Sequence, residues 1–472
     1  MSKRFGGLFL ALCSLPFICG LGMRGCGPNS FDFERISENG FDAADNAMDW
    51  NDYPQSMLHF TPDGEEDGFL YVGTGNGINE LIAGTLGLFG DETGERPPEI
   101  RRYRPDLGPK TWERVFDYRD FEDGPDFTAT GFRNMAQYRS QSDGVNRLYA
   151  STFGAEPTVW RTATGEPGSW EKFWTVTDDR GSIRWMTEHN ELLYIAIAND
   201  ITAGGAVLTA PGQIMATDGD TVWPVMEDGF GNPDNGAIMS MISHDGWLWA
   251  GTGNSETGFE IWKLEGPGGQ GPVQVVADGA TDRRNQAATT PFVYQGDLYW
   301  GSMIFLGVYL KGCVLLRINA DDTWDTIVGP GGLSGYGPGF DNRNNGYLWW
   351  LEEHEGWLYA GTADFTCMQQ AVVDNLGNII PFVIDRLGKT TAQESTETKR
   401  APGVVGVLTQ GGGDLWKSQD GVHWTPVFTN GLGDTYNWGV RIMQSVNGEL
   451  YLGMANPWDG LEIWRGLKNT EE

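Results

Sequence analysis

The sequence is poor in the residues on which most enzyme chemistry is built. Of 472 residues, five are histidine and five are cysteine. No Cys-x-x-Cys pair, Cys-x-x-Cys-His or His-Glu-x-x-His occurs, so the usual zinc signatures and c-type haem attachment are excluded. A phosphate-cradling glycine loop is also missing, as is a Gly-x-Ser-x-Gly elbow followed by a helix. Positive charge is scarce. Lys and Arg number 32 against 64 Asp and Glu, for a formal net charge of −32. Such a surface repels phosphate backbones and anionic headgroups, so nucleic acid is not an expected partner. It attracts cations, although solubility or adaptation to salt accounts for the charge as well. Beyond the N-terminus no apolar run is long enough to span a membrane.

That N-terminus reads as an export signal over residues 1–26. Lys3 and Arg4 precede an apolar stretch from Phe5 to about Gly22, broken by Pro16. Met23-Arg24-Gly25-Cys26 approximates a lipobox, which makes Cys26 the candidate lipidation site and a lipid anchor the one expected link to a membrane. The expected location is exported: periplasmic, outer-surface or extracellular. Past the leader only Cys313 and Cys367 remain, a candidate disulfide in an oxidising compartment.

What is abundant is glycine, 68 residues, and tryptophan, 20, a mixture suited to short strands and tight turns. A phrase recurs seven times: Leu70-Tyr71-Val72-Gly73-Thr74, then copies at Leu148, Leu193, Leu248, Leu298, Leu358 and Leu450. Its aromatics are spaced by 78, 45, 55, 50, 60 and 92 residues, a propeller-like period with insertions. A turn and an apolar run precede each phrase. A third run follows, clearest in Glu260-Ile261-Trp262-Lys263 and Glu462-Ile463-Trp464-Arg465, and then a fourth strand often opened by Trp. The fold class expected is all-β: a seven-bladed β-propeller of four-stranded antiparallel blades filling residues 27–467. Insertions fall at about 78–97 and 364–412, and a short tail covers 468–472. The last unit ends without its fourth strand. Phe33-Glu34-Arg35-Ile36 followed by Gly40-Phe41 matches the fourth strands that precede Gly229-Phe230 and Gly431-Leu432, so the N-terminal strand (about 33–36) completes the last blade and closes the ring.

The turn Ser418-Gln419-Asp420-Gly421-Val422-His423-Trp424 resembles the Asp-box of sialidase-type (BNR-like) propeller repeat proteins, and Thr217-Asp218-Gly219 leading to Trp223 is a looser copy. The resemblance implies that the Asp caps the turn and the Trp packs between strands. It carries no activity over, because Asp-boxes serve glycosidases, binding proteins and receptors alike. The early Arg-Ile-Pro motif of sialidases is not matched: Arg35-Ile36-Ser37 lies in the closing strand and lacks the proline.

Two loops of each unit share one face, and both carry recurring amides or carboxylates. Asn46, Asn235, Asn285, Asn345 and Asn437 stand before the first strands; Asn76, Asn199, Asn254, Asp364 and Asn456 follow the second. This set can bind a sugar by hydrogen bonds, or a hard cation such as calcium through oxygen. Asn and Asp also favour turns for purely local reasons. Tyr436, Trp438 and Trp458, found only in the last unit, are the aromatic candidates for stacking on a sugar ring. His189, His244 and His354 fall at equivalent turns and are expected to be exposed. No cofactor is expected other than calcium, and no catalytic residue is singled out. The expectation is a non-catalytic exported propeller that binds a glycan, an envelope component or a partner protein. The alternatives are a glycoside hydrolase or lyase using carboxylates at the channel mouth, and a structural cell-surface subunit.

Overall fold

The computed structural model describes residues 32–41, 51–76, 96–121, 128–178, 180–199, 210–267, 269, 271–304, 311–367 and 411–467. The leader with Cys26, Asn46, most of both insertions and the tail lie outside the described residues. Among the described residues, apart from short 3-10 turns, the complete elements are 28 β-strands, all paired antiparallel. None of the helices searched is long and apolar enough to cross a membrane.

The strands follow one another in runs of four. In one run Ala237–His244, Trp247–Gly253, Ile261–Leu264 and Val273–Val276 pair in sequence order. The second strand of this run is the phrase Leu248-Trp249-Ala250-Gly251-Thr252, and each of its positions has a job. The threonine hydroxyl accepts the backbone N–H of Glu260 at 2.9 Å and so starts the third strand. Thr74, Thr152 and Thr362 do the same for Glu99, Thr158 and Asp414. The glycine is where the next unit arrives. A Cβ on Gly251 would lie 2.8 Å from Ala288 Cβ, and one on Gly361 2.7 Å from Val440 Cβ, both on the first strand of the following unit. Any side chain there would hold neighbouring units apart. The tyrosine reaches across a unit boundary too: the hydroxyls of Tyr71, Tyr194 and Tyr299 sit close under Gly165, Gly266 and Gly421 of the next unit's turn.

Hydrophobic burial therefore lies mainly between units. One cluster joins Tyr194, Ala196 and Ile214 to Ile238, Met241 and Leu248 of the next unit. The first strand of every unit also packs beside the first strands of its two neighbours, and Tyr53–Phe60 packs beside Gly439–Val446. The last run has three strands of its own. Asp32–Arg35 pairs with Glu462–Leu467 in the fourth place, Phe33 opposite Gly466 and Arg35 opposite Trp464. Ile36 and Phe41 then pack with Met57, Leu70, Ile442 and Ile463, a cluster drawn from both ends of the chain. Gly453, in the last phrase, would place a Cβ 2.8 Å from Pro54 Cγ, the contact that Gly251 makes with its successor.

The Asp-box turn is tied down by its carboxylate. Asp420 Oδ1 accepts the N–H groups of Val422 and His423 at 2.9 and 2.8 Å, and Trp424 is buried behind it. Partial burial opposes ionisation, but the His423 ring, 2.7 Å from Asp420 Oδ2, and these backbone bonds outweigh it and hold the Asp420 carboxyl well below its usual range. Asp218 accepts from Asp220 and Thr221 in the same way.

Candidate functional site

The recurring amides are used up inside the protein. Asn235 Nδ2 donates to Gly229 O at 2.9 Å and to Glu260 Oε2 at 2.7 Å. Asn437 donates to Gly431 O and Glu462, and Asn345 to Gly339 O and Asp414, with the same lengths to within 0.1 Å. Their oxygens are occupied as well: Asn254 donates to Asn235 Oδ1 at 3.0 Å, Asn456 to Asn437 Oδ1 at 3.1 Å, and the Thr362 hydroxyl to Asn345 Oδ1 at 3.0 Å. Asn254 and Asn456 each accept two N–H groups of their own loop, and Asp364 accepts from Thr366 and Asn342. Asn76 donates to Asn51 Oδ1 at 3.0 Å, so Asn51 holds the place that the sequence pattern gave to Asn46. Asn199 is also buried, its N–H bonded to Gly236 O. The set is a belt that fastens each turn to the next first strand, and it offers little to a ligand. The glycine that takes the amide bond has positive φ, as does the residue after it: Gly229-Phe230, Gly339-Phe340, Gly431-Leu432 and Gly40-Phe41.

The fifth unit departs from this scheme. Val314 stands where the first, fourth, sixth and seventh units have an acid (Glu99, Glu260, Asp414 and Glu462), and Ile304 where Asn254 and Asn456 stand. Asn285 still donates to Gly279 O at 2.8 Å, but its oxygen is taken by the ammonium of Lys311, which also pairs with Asp282 at 2.9 Å.

The aromatic candidates separate. Trp438 is buried against Tyr53, Trp349 and Phe365, a core role. Tyr436 is exposed and leans on half-buried Trp458, ring centroids 5.5 Å apart. The proposed pair of thiols is not a disulfide. Cys313 lies among Tyr294, Leu315 and Phe340, and Cys367 in a different cluster with Tyr53 and Trp349. Burial pushes the Cys313 thiol up to about 12, so it stays protonated. The histidines correct another expectation. His189 and His354 are buried, with Nδ1 2.8 Å from Ser243 Oγ and 3.0 Å from Ser445 Oγ of the next unit. Among the described residues no cluster of three His, Cys, Asp or Glu can hold a metal ion.

The residues that do face a cavity were not singled out by sequence. In every unit the pairing of first and second strands shifts register at an equivalent step, and the residue passed over there is Gln55, Arg133, Arg184, Met239, Trp349 or Arg441, or the pair Thr289-Thr290; the second and sixth units carry one further shift, at Thr130 and Gly346. A β-bulge of this kind turns a side chain out of the sheet's alternation. All of these except Gln55 line one small cavity, about 20 Å³, together with Trp185, Tyr347 and Trp350. Gln55 reaches the same ring by accepting the Arg441 guanidinium at 2.9 Å. Arg441 also lies 5.4 Å over the Trp349 ring, and Arg133 3.9 Å over Phe153. Burial and the like charge of Arg184 bring the Arg441 guanidinium down to about 10. A signal was available. In five units the bulged residue stands four positions after the belt asparagine: Asn51 and Gln55, Asn235 and Met239, Asn285 and Thr289, Asn345 and Trp349, Asn437 and Arg441.

No protein-family pattern and no curated protein matches the sequence. Solved structures of similar shape include the extracellular domain of the hybrid two-component system BT3049 from B. thetaiotaomicron, at 10% identity and TM-score 0.45 over 88% of this chain and 40% of that one. An ancestral GH74 enzyme matches at 11% identity and TM-score 0.49, over 89% of this chain and 49% of the other. YCF48 bound to D1 peptide matches at 12% identity and TM-score 0.46, over 93% and 96%. The chain thus spans less than half the length of the first two, and at these identities and scores the likeness says nothing about activity.

Proposed function

We propose that the chain is a seven-bladed β-propeller of the Asp-box kind, its ring closed by residues 32–36. On this reading it is exported behind the leader of residues 1–26 and binds rather than catalyses. A glycan, an envelope component or a partner protein engages it at the axial cavity. The observation that supports this is the ring of bulges. Seven first strands break register at one equivalent step, and the side chains delivered there differ from unit to unit, which folding alone does not require. The charged groups in that ring are guanidiniums, which suit recognition, whereas glycoside hydrolysis needs a carboxylate pair. The sialidase-type resemblance is kept for architecture only.

The test is a thermal-shift screen of the chain against glycans, divalent ions including calcium, and envelope extracts. A saturable rise in melting temperature without turnover is expected. It should disappear in Arg184→Gln and persist in Tyr436→Ala. The opposite pattern, loss with Tyr436 and retention with Arg184, would move the site to the exposed aromatic pair and end this reading.

A further inference from the structure

We infer that the axial cavity holds a single monatomic anion of the chloride kind, seated against Arg441. This goes beyond the axial reading above and does not depend on a larger ligand docking at the ring. Arg441 is 9% exposed and lines the cavity. Its guanidinium donates to Gln55 Oε1 at 2.9 Å and lies 5.4 Å over the Trp349 ring, and among the described residues no carboxylate pairs with it. Burial and the like charge of Arg184 lower it to about 10, so it remains protonated at neutral pH. Arg133 and Arg184 have other partners, Arg133 lying 3.9 Å over the Phe153 ring, so the charge left without a counterpart is that of Arg441. A buried cation is costly unless an opposite charge meets it. Glu352 accepts from the Trp350 indole at the cavity wall, but burial raises it to about 7, so it supplies little charge near neutrality.

The room available selects the ion. The cavity measures about 20 Å³, space for one water-sized body. A chloride ion is only slightly larger than a water molecule, whereas sulfate, phosphate and carboxylates carry several heavy atoms. None of the described residues lining the cavity is acidic, and the hydroxyls of Thr289 and Thr290 are spent on Leu348 O and Trp349 O, so guanidinium charge rather than a hydroxyl holds the ion. The formal charge of −32 opposes an anion at long range. Salt screens that field, while a buried guanidinium close at hand acts through a lower dielectric.

The experiment follows the melting temperature of the whole chain as sodium gluconate is replaced by sodium chloride, and separately by sodium bromide, at constant ionic strength. Gluconate is too large to enter, so each halide should raise the melting temperature saturably, by a few degrees. Two variants locate the ion. Arg441→Met removes the charge that attracts it. Gln55→Glu puts a carboxylate where Arg441 already donates, and so supplies the opposite charge from within the chain. In both the halide-dependent rise should vanish, while general salt effects act on all three proteins alike. If Arg441→Met fails to fold, Gln55→Glu decides. A wild type that responds to chloride no more than to gluconate overturns the inference, because no ion is then held. A rise that persists in either folded variant overturns it too, because the ion is then bound away from Arg441. Neither result bears on the screen for larger ligands.

Discussion

The belt of amides and the ring of bulged residues stand four positions apart on the same strands, and they obey opposite rules. At the belt, Asn235, Asn345 and Asn437 make the same bonds to a glycine carbonyl and an acid in unit after unit. At the bulge the residues are Gln, Arg, Arg, Met, Thr, Trp and Arg. A position that does the same mechanical work converges on one side chain, as it does in the first unit and the last four. A position that faces a shared axis need not, because the units together build one asymmetric surface. The difference separates what holds the fold from what the fold holds, and it can be broken experimentally.

The largest effect should come from the element that both ends of the chain share. Removing residues 32–41 strips the fourth strand from the last unit and takes away buried Ile36 and Phe41. Two fully buried side chains of this size contribute roughly 3–6 kcal/mol, and Glu462–Leu467 would be left as an open edge. Denaturant unfolding measures the loss. An unchanged midpoint would mean that the strand is an accessory to the ring.

Next in size are the belt asparagines. Asn437→Ala would take one bond each from Gly431 O, Glu462 and the amide of Asn456, which keep weaker or fewer partners, at a cost of about 2–4 kcal/mol. Asn285→Ala should cost less. Its unit has no acid at the belt, and Lys311 keeps Asp282 as a partner. Equal losses at the two positions would show that the acid contributes nothing to the belt.

These elements also mark how far the sequence could be read. The strand order, the seven phrases and the N-terminal strand in the last unit's fourth place were legible, because glycine, threonine and tyrosine recur at positions fixed by packing between units. The chemistry of the site was not. Repetition drew attention to Asn235 and Asn437, whose bonds turn inward, and an offset of five residues gave Asn46 the place of Asn51. A bulge leaves no compositional mark of its own: Arg184 has no asparagine four positions before it, and the spacing of Arg441 from Asn437 gains meaning only once the register step is seen. Cys313 and Cys367 lie on neighbouring units but in different clusters, a separation that sequence spacing does not report.

A smaller effect belongs to the belt acid of the sixth unit. Burial raises the Asp414 carboxyl to about 7, although Asn345 donates to it. The folded protein then holds a proton that the unfolded chain has released, so this group's contribution to stability is full below its ordinary value of 3.8 and falls as pH rises towards about 7. Asp414→Asn should flatten that part of the profile. Denaturation midpoints at about pH 5 and about pH 7.5 test it: the wild type should lose stability between them and the variant should lose less. Identical slopes would place the titration on another group.

The smallest change in stability is expected at the ring, and there its smallness is the point. Arg441 and Asn437 are both almost fully buried and lie on one strand and the turn before it. Asn437 closes a set of bonds, whereas Arg441 brings a charge that meets an amide oxygen and an aromatic face. Replacing a buried charge by an apolar side chain of similar length is often neutral or stabilising. Arg441→Met should therefore leave the melting temperature within a few degrees of wild type, or raise it, in buffer free of added ligands, where Asn437→Ala lowers it clearly. A comparable loss in both variants would make Arg441 part of the scaffold, and the contrast between belt and ring would then have no basis at the last unit.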